Sequence, residues 1–178
     1  RQAPNALTCE WGGGGSLGRE VPVHLDLSVV RRPGRGGRRL LHPNSRILAA
    51  TRYTNESAGP SGKPVGSVLT IASELDGMPF AALDGGPVFR FNEAVSIVVH
   101  CASQEEVDHY WERLSREGDP AAQQCGWLED RYGVSWQIVP QELLDALGGP
   151  DPERVRKATA AMMQMKKIDL GALCRAMG

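Results

Sequence analysis

The sequence predicts an α+β protein in which two successive groups of strands are followed by a helical C-terminal stretch. Three observations carry this. Residues 94–101, AVSIVVHC, form an apolar, β-branched run with no polar helical face, and Ser103 with Glu106 opens a helix directly after it. Turn signals of hairpin type recur, Asp76 with Gly77 and then Asp130 to Gly133, each between short apolar runs. Beyond Pro140 the apolar residues change from alternate positions to helical spacing.

Residues 1–42 do not read as part of a folded sheet. They contain a tetraglycine at 12–15 and the run RRPGRGGRR at 31–39, with little apolar surface to offset the entropy of ordering. A basic nucleic-acid arm or a phosphate loop are the functional alternatives. The loop fails for want of a strand before WGGGGSLG and a helix after it. Residues 46–53 are then a strand candidate. Residues 55–66, rich in Gly, Pro and Ser, read as a loop, and 67–75 and 79–83 as strands around Asp76 and Gly77. DGGP at 84–87 breaks the sheet. In the helix after residue 103, Val107, Tyr110, Trp111 and Leu114 make one apolar stripe. Residues 124–129 and 134–139 follow as two strands. With one helix on one side, the other side of this sheet is free to line a cavity. Residues 141–147 then form a short helix. Pro152 opens a longer one with a Met-rich stripe, more naturally a core or dimer contact than a promiscuous binding face, and 170–177 form the last helix.

At 178 residues and 41% hydrophobic, the chain has enough apolar material for one ordinary core. Its net charge of −1 gives no footprint for nucleic acid or an anionic membrane. No apolar run reaches membrane length and no signal pattern opens the chain, so a cytoplasmic protein is expected. The four cysteines, Cys9, Cys101, Cys125 and Cys174, form no CxxC pair, which removes zinc-finger and redox-motif readings.

The motifs PNSRI, ELDGMPF, FNEAVS and GWLEDRYGVSWQIVP, together with CASQEEVDHYWERLS, resemble the PhnB-like family of the vicinal oxygen chelate superfamily. That superfamily includes glyoxalases, extradiol dioxygenases and antibiotic-binding resistance proteins. Some members of the family carry the label 3-demethylubiquinone-9 3-methyltransferase. The resemblance runs from about Pro43 to the C-terminus. It implies an α+β fold of paired βαβββ units whose curved sheets enclose a pocket, usually completed in a homodimer. Here the first unit is incomplete and C-terminal helices are added. Three stretches are expected: an atypical, irregular segment at 1–42, a vicinal oxygen chelate domain at 43–148 and a helical extension at 149–178. Family members open with an apolar strand and an acidic, Ala-rich helix before PNSRI. Codons compatible with residues 26–42, read one base later, spell such an opening, TCLWFGDQAEEAAAFY. A frameshifted segment in place of the first strand and helix is therefore the reading of 1–42, with 25–30, LDLSVV, as the one piece apolar enough to replace the strand.

Metal-dependent relatives hold a divalent ion with a His or Glu on each of four strands. Carried over by resemblance, those positions fall on Ser96, Gln137 and about Ala81, and the fourth lies in the divergent segment. No metal and no cofactor are expected. The residues themselves place Ser96, Val98 and His100 on one alternating face, with Trp127, Trp136 and Gln137 beside them as the candidate ligand-binding set. For His100 the plain alternative is a structural histidine at a strand end, for the tryptophans a place in the core, and His109 reads as surface. No strand, glycine turn and helix suited to a nucleoside methyl donor supports the methyltransferase label. The resulting expectation is a metal-free small-molecule binding protein. Two other readings stay open, a metal-dependent lyase, isomerase or oxygenase and a non-catalytic interaction module, and so does the question of catalysis.

Overall fold

The computed structural model describes residues 8–10, 44–85 and 90–178, which divide into two compact units, Arg1–Phe91 and Asn92–Gly178.

Among the described residues of the first unit four strands lie in the order β1 (Thr8–Glu10), β4 (Met78–Leu83), β3 (Val68–Leu75), β2 (Arg46–Arg52), every neighbour antiparallel. The turn between β3 and β4 needs two left-handed residues, and Asp76 (φ 48°) and Gly77 (φ 77°) supply them, as the Asp-Gly pair predicts. Among the described strands β2 lies at the edge, and it is exposed along its whole length. Two features differ from the sequence expectation. Thr8–Glu10 is a strand inside the stretch expected to be irregular, whereas 25–30 and 31–39 lie outside the described residues. Asn55–Ser61 is a helix, α1, where a loop was expected. The backbone N–H of Thr54 donates to Ser57 Oγ at 2.9 Å, Ala58 is buried and Gly62 stops the helix at φ 67°. A local cap and one anchoring side chain thus outweigh the poor propensities of Gly59 and Pro60. Past α1, Lys63 reaches the buried Asp84 at 2.6 Å, and the Tyr53 hydroxyl donates to the Asp84 carbonyl oxygen at 2.6 Å.

The second unit holds β5 (Ile97–Cys101), α2 (Gln104–Leu114), β6 (Trp127–Glu129) and β7 (Ser135–Pro140), with strand order β5, β7, β6. β5 runs parallel to β7, so the chain must cross over between them, and α2 is part of that crossover. Ser103 Oγ accepts from the Glu106 N–H, and the Glu106 carboxylate accepts from the Ala102 N–H at 2.8 Å, one residue before its expected partner. Val107, Tyr110 and Leu114 are buried, Trp111 half-buried, as the stripe requires. They cover the sheet face formed by Val99, Cys101, Trp136, Ile138 and Leu128. Burial pushes the Cys101 thiol up to about 12, with Glu106 adding to it, so it stays protonated and unreactive. β6 is shorter than expected because Cys125 and Gly126 take left-handed backbones, φ 52° and 86°. Their N–H groups leave the ladder and donate to Met165 and Lys166 carbonyls, both at 2.8 Å.

Helices α3 (Gln141–Leu147), α4 (Pro152–Met162) and α5 (Leu170–Met177) pack around Leu143, Ala146, Ala158, Ile168 and Leu173. The Gln104 side chain ties this group to the start of α2, donating to Ile168 O at 3.1 Å and accepting from Leu170 N at 2.8 Å. Among the described residues no helix is long and apolar enough to cross a membrane.

Candidate functional site

The face of the β5, β7, β6 sheet opposite α2 is built by register. Gln137 sits at the centre of β7, with Val98 of β5 on one side and Trp127 of β6 on the other. One step along, His100 stands beside Val139; in the other direction Glu129 stands beside Ser135. Ser96, just before β5, reaches the same face, because Gln137 Nε2 donates to its Oγ at 2.7 Å. Val98 is 43% exposed and His100 is exposed, while Ser96, Trp127 and Gln137 are half-buried. The structure therefore brings together five of the six residues expected from sequence: Ser96, Val98, His100, Trp127 and Gln137.

It does not bring Trp136 there. Neighbouring residues of a strand point to opposite faces, so with Gln137 on the open face Trp136 must lie on the covered one. It is 3% exposed, and its indole Nε1 donates to Asp130 Oδ2 at 2.9 Å. Asp130 Oδ1 also accepts from the N–H groups of Tyr132 (2.9 Å) and Val134 (3.0 Å). Trp136 thus belongs to a polar clasp that closes the β6–β7 connection and anchors it in the core.

Sequence reasoning passed over Glu129 and Val139 on the open face. Strict alternation from Trp127 and Gln137 was the signal that could have found both. Burial holds the Glu129 carboxyl above the ordinary carboxylate range, with the nearby charges of Asp119 and Glu93 adding to the effect. The backbone behind it is closely packed: a Cβ on Gly118 would stand 2.0 Å from Glu129 O, so that approach to β6 needs glycine.

Ser96 and Gln137, onto which the resemblance carries two metal-ligand positions, bear a hydroxyl and a carboxamide that are bonded to each other. The third such position falls near Ala81, which lies on β4 of the first unit. Among the described residues no three His, Cys, Asp or Glu side chains are grouped to hold a metal ion. Chemically, the open face offers a half-buried indole, aliphatic surface, a neutral hydrogen-bonding pair, an imidazole at one end and a carboxyl at the other.

A family model described as 3-demethylubiquinone-9 3-methyltransferase matches residues 39–139, more than half of the chain. The chain belongs to this PhnB-like family. No curated protein matches it. Among solved structures it is similar to a PhnB protein from Bacillus cereus that carries a provisional 3-demethylubiquinone-9 3-methyltransferase label. Identity is 32%, covering 56% of this chain and 82% of that one, with a TM-score of 0.47.

Proposed function

We propose that this PhnB-like protein binds a small organic molecule on the open face of the β5, β7, β6 sheet and holds it without a metal ion. The observation that carries the reading is the convergence of Ser96, Val98, Trp127 and Gln137 on that face, with His100 at its margin. Sites of this kind join apolar and aromatic surface to a few directing polar groups. Trp127 and Val98 supply the first, and the Ser96–Gln137 pair supplies the second. The metal-free part rests on donor chemistry: a serine hydroxyl and a carboxamide are weak ligands for the borderline divalent ions that such folds use. Elemental analysis of protein purified without chelator tests it. The expected result is no stoichiometric zinc, nickel, manganese or iron. About one such ion per chain would replace this reading with a metal-dependent lyase, isomerase or oxygenase.

A homodimer is part of the same reading. Ile47 and Leu48 on the edge strand β2, and Met78 on β4, are 41%, 50% and 53% exposed, and a second copy would remove them from water. Light scattering is expected to give twice the chain mass, and a monomer at micromolar concentration would refute it.

A further inference from the structure

The Ser96–Gln137 pair limits the chemistry of the ligand more tightly than the sheet face alone. Gln137 Nε2 donates to Ser96 Oγ at 2.7 Å, and among the described residues neither side chain makes another hydrogen bond. Each therefore keeps capacity in hand. Ser96 retains its hydroxyl hydrogen as a donor, and Gln137 retains Oε1 as an acceptor. Rotating the carboxamide by half a turn changes the assignment without changing the outcome. Ser96 would then donate to Oε1, and both amide N–H groups would be left over together with the lone pairs on Oγ. Either way the pair presents at least one donor beside at least one acceptor, both side chains half-buried and flanked in register by Trp127 and Val98. Half-buried polar atoms with spare capacity favour a partner that satisfies both at once and penalise one that covers them without bonding.

Charge narrows the class further. The residues of this face, Ser96, Val98, His100, Trp127, Glu129, Ser135, Gln137 and Val139, include no Lys or Arg. The carboxyl of Glu129 stands at one end with Asp119 and Glu93 close enough to act on it. An anionic ligand would meet like charge at that end, with no Lys or Arg among the described residues of this face to offset it and only the His100 imidazole at the far margin.

Resting on the binding reading above, we infer that the Ser96–Gln137 pair is a specificity element for a neutral, flat ligand that carries a carbonyl acceptor next to an N–H donor, a lactam-type edge, with its ring against Trp127. Ser96 donates to the carbonyl, Gln137 Oε1 accepts from the N–H, and the indole and Val98 supply apolar contact.

The probe is 2-quinolone, a bicyclic lactam, compared with N-methyl-2-quinolone, which keeps the ring and the carbonyl but lacks the donor. Both are titrated calorimetrically into the full chain and into Ser96→Ala, Ser96→Thr, Gln137→Leu and Trp127→Ala, each checked for native circular dichroism. The expected result is a preference for 2-quinolone of about ten-fold or more. It should vanish in Ser96→Ala and Gln137→Leu and persist in Ser96→Thr, which keeps the hydroxyl; a merely structural Ser96 would not separate Ala from Thr in this way. Equal binding of the two compounds, weakened by Trp127→Ala, overturns the lactam edge and leaves the binding face standing. Binding that none of the variants alters overturns both. No binding of 2-quinolone up to its solubility limit also overturns the lactam edge.

Discussion

Among the described residues the four-stranded sheet of the first unit is antiparallel throughout, whereas the three-stranded sheet of the second contains one parallel pair. In the second unit the first strand, β5, is parallel to the last, β7, a pairing that requires a crossover, and α2 in that crossover carries Val107, Tyr110 and Leu114 onto the sheet. In the first unit the first described strand, β1, is antiparallel to β4, and β2 is exposed throughout. From Trp136 onward the central strand of the second unit alternates between buried and half-buried positions, while β3 is almost uniformly half-buried. A sheet with a helix on one face has a definite inside and outside. The outside of the second sheet is where the candidate site lies.

Giving the first unit the strand-and-helix opening that the family resemblance leads one to expect gives the largest effect. TCLWFGDQAEEAAAFY, the shifted reading of residues 26–42, aligns without a gap on residues 96–111, SIVVHCASQEEVDHYW, with its Glu-Glu pair on Glu105 and Glu106 and its Phe on the buried Tyr110. Substituted into the chain, it is expected to add several buried side chains. After the cost of ordering them, a net gain of about 3 kcal/mol would raise Tm by roughly 6–12 °C. A thermal melt without any rise would break the comparison, and so would coding DNA whose shifted frame over 26–42 lacks this reading.

Truncation compares the units directly. Ile138, on the covered face of β7, is 0% exposed, whereas Ile47 on β2 is 41% exposed. Ile138→Ala is expected to cost about 3–4 kcal/mol and Ile47→Ala less than about 1 kcal/mol, measured by urea unfolding. Similar costs at the two positions would show that the first sheet is as firmly packed as the second.

The smallest effect concerns Glu129. Its folded-state pKa is raised, first by burial and then by Asp119 and Glu93, so the folded protein holds this proton more tightly than the unfolded chain. That stabilising contribution is fully present below the ordinary carboxylate range and is lost as pH rises from that range through the raised value. Glu129→Gln should flatten this part of the stability profile and raise Tm slightly at neutral pH. A steeper profile in the variant would contradict the assignment.

Much of the second unit was legible in its sequence because its signals are local. Ser103 and Glu106, the 107, 110, 114 stripe and the turn at 130–133 each act within a few residues, and the structure uses all of them. The end of β6 was hidden because Cys125 and Gly126 bond to Met165 and Lys166, far along the chain. α1 was hidden because a reciprocal Thr54 and Ser57 cap is a weak signal among Gly and Pro. Alternation from Val98 puts Ser96 and His100 on the same sheet face, and the strand register has them there. Trp136 was misplaced because aromatic character was weighed above parity, and parity sends it to Asp130 and the core. The Ser96–Gln137 bond joins residues 41 apart in sequence, and no local pattern announces it.

Amide and indole chemical-shift mapping of the labelled protein during titration with neutral ring fragments, 2-quinolone among them, tests the central claim most directly. The account predicts that the largest shifts fall on Ser96, Val98, the Trp127 indole and the Gln137 side-chain amide, with the Trp136 indole, tied to Asp130, moving little. Shifts gathered instead on α4 and α5, or on Trp136 in place of Trp127, would contradict a binding site on the open face of this sheet.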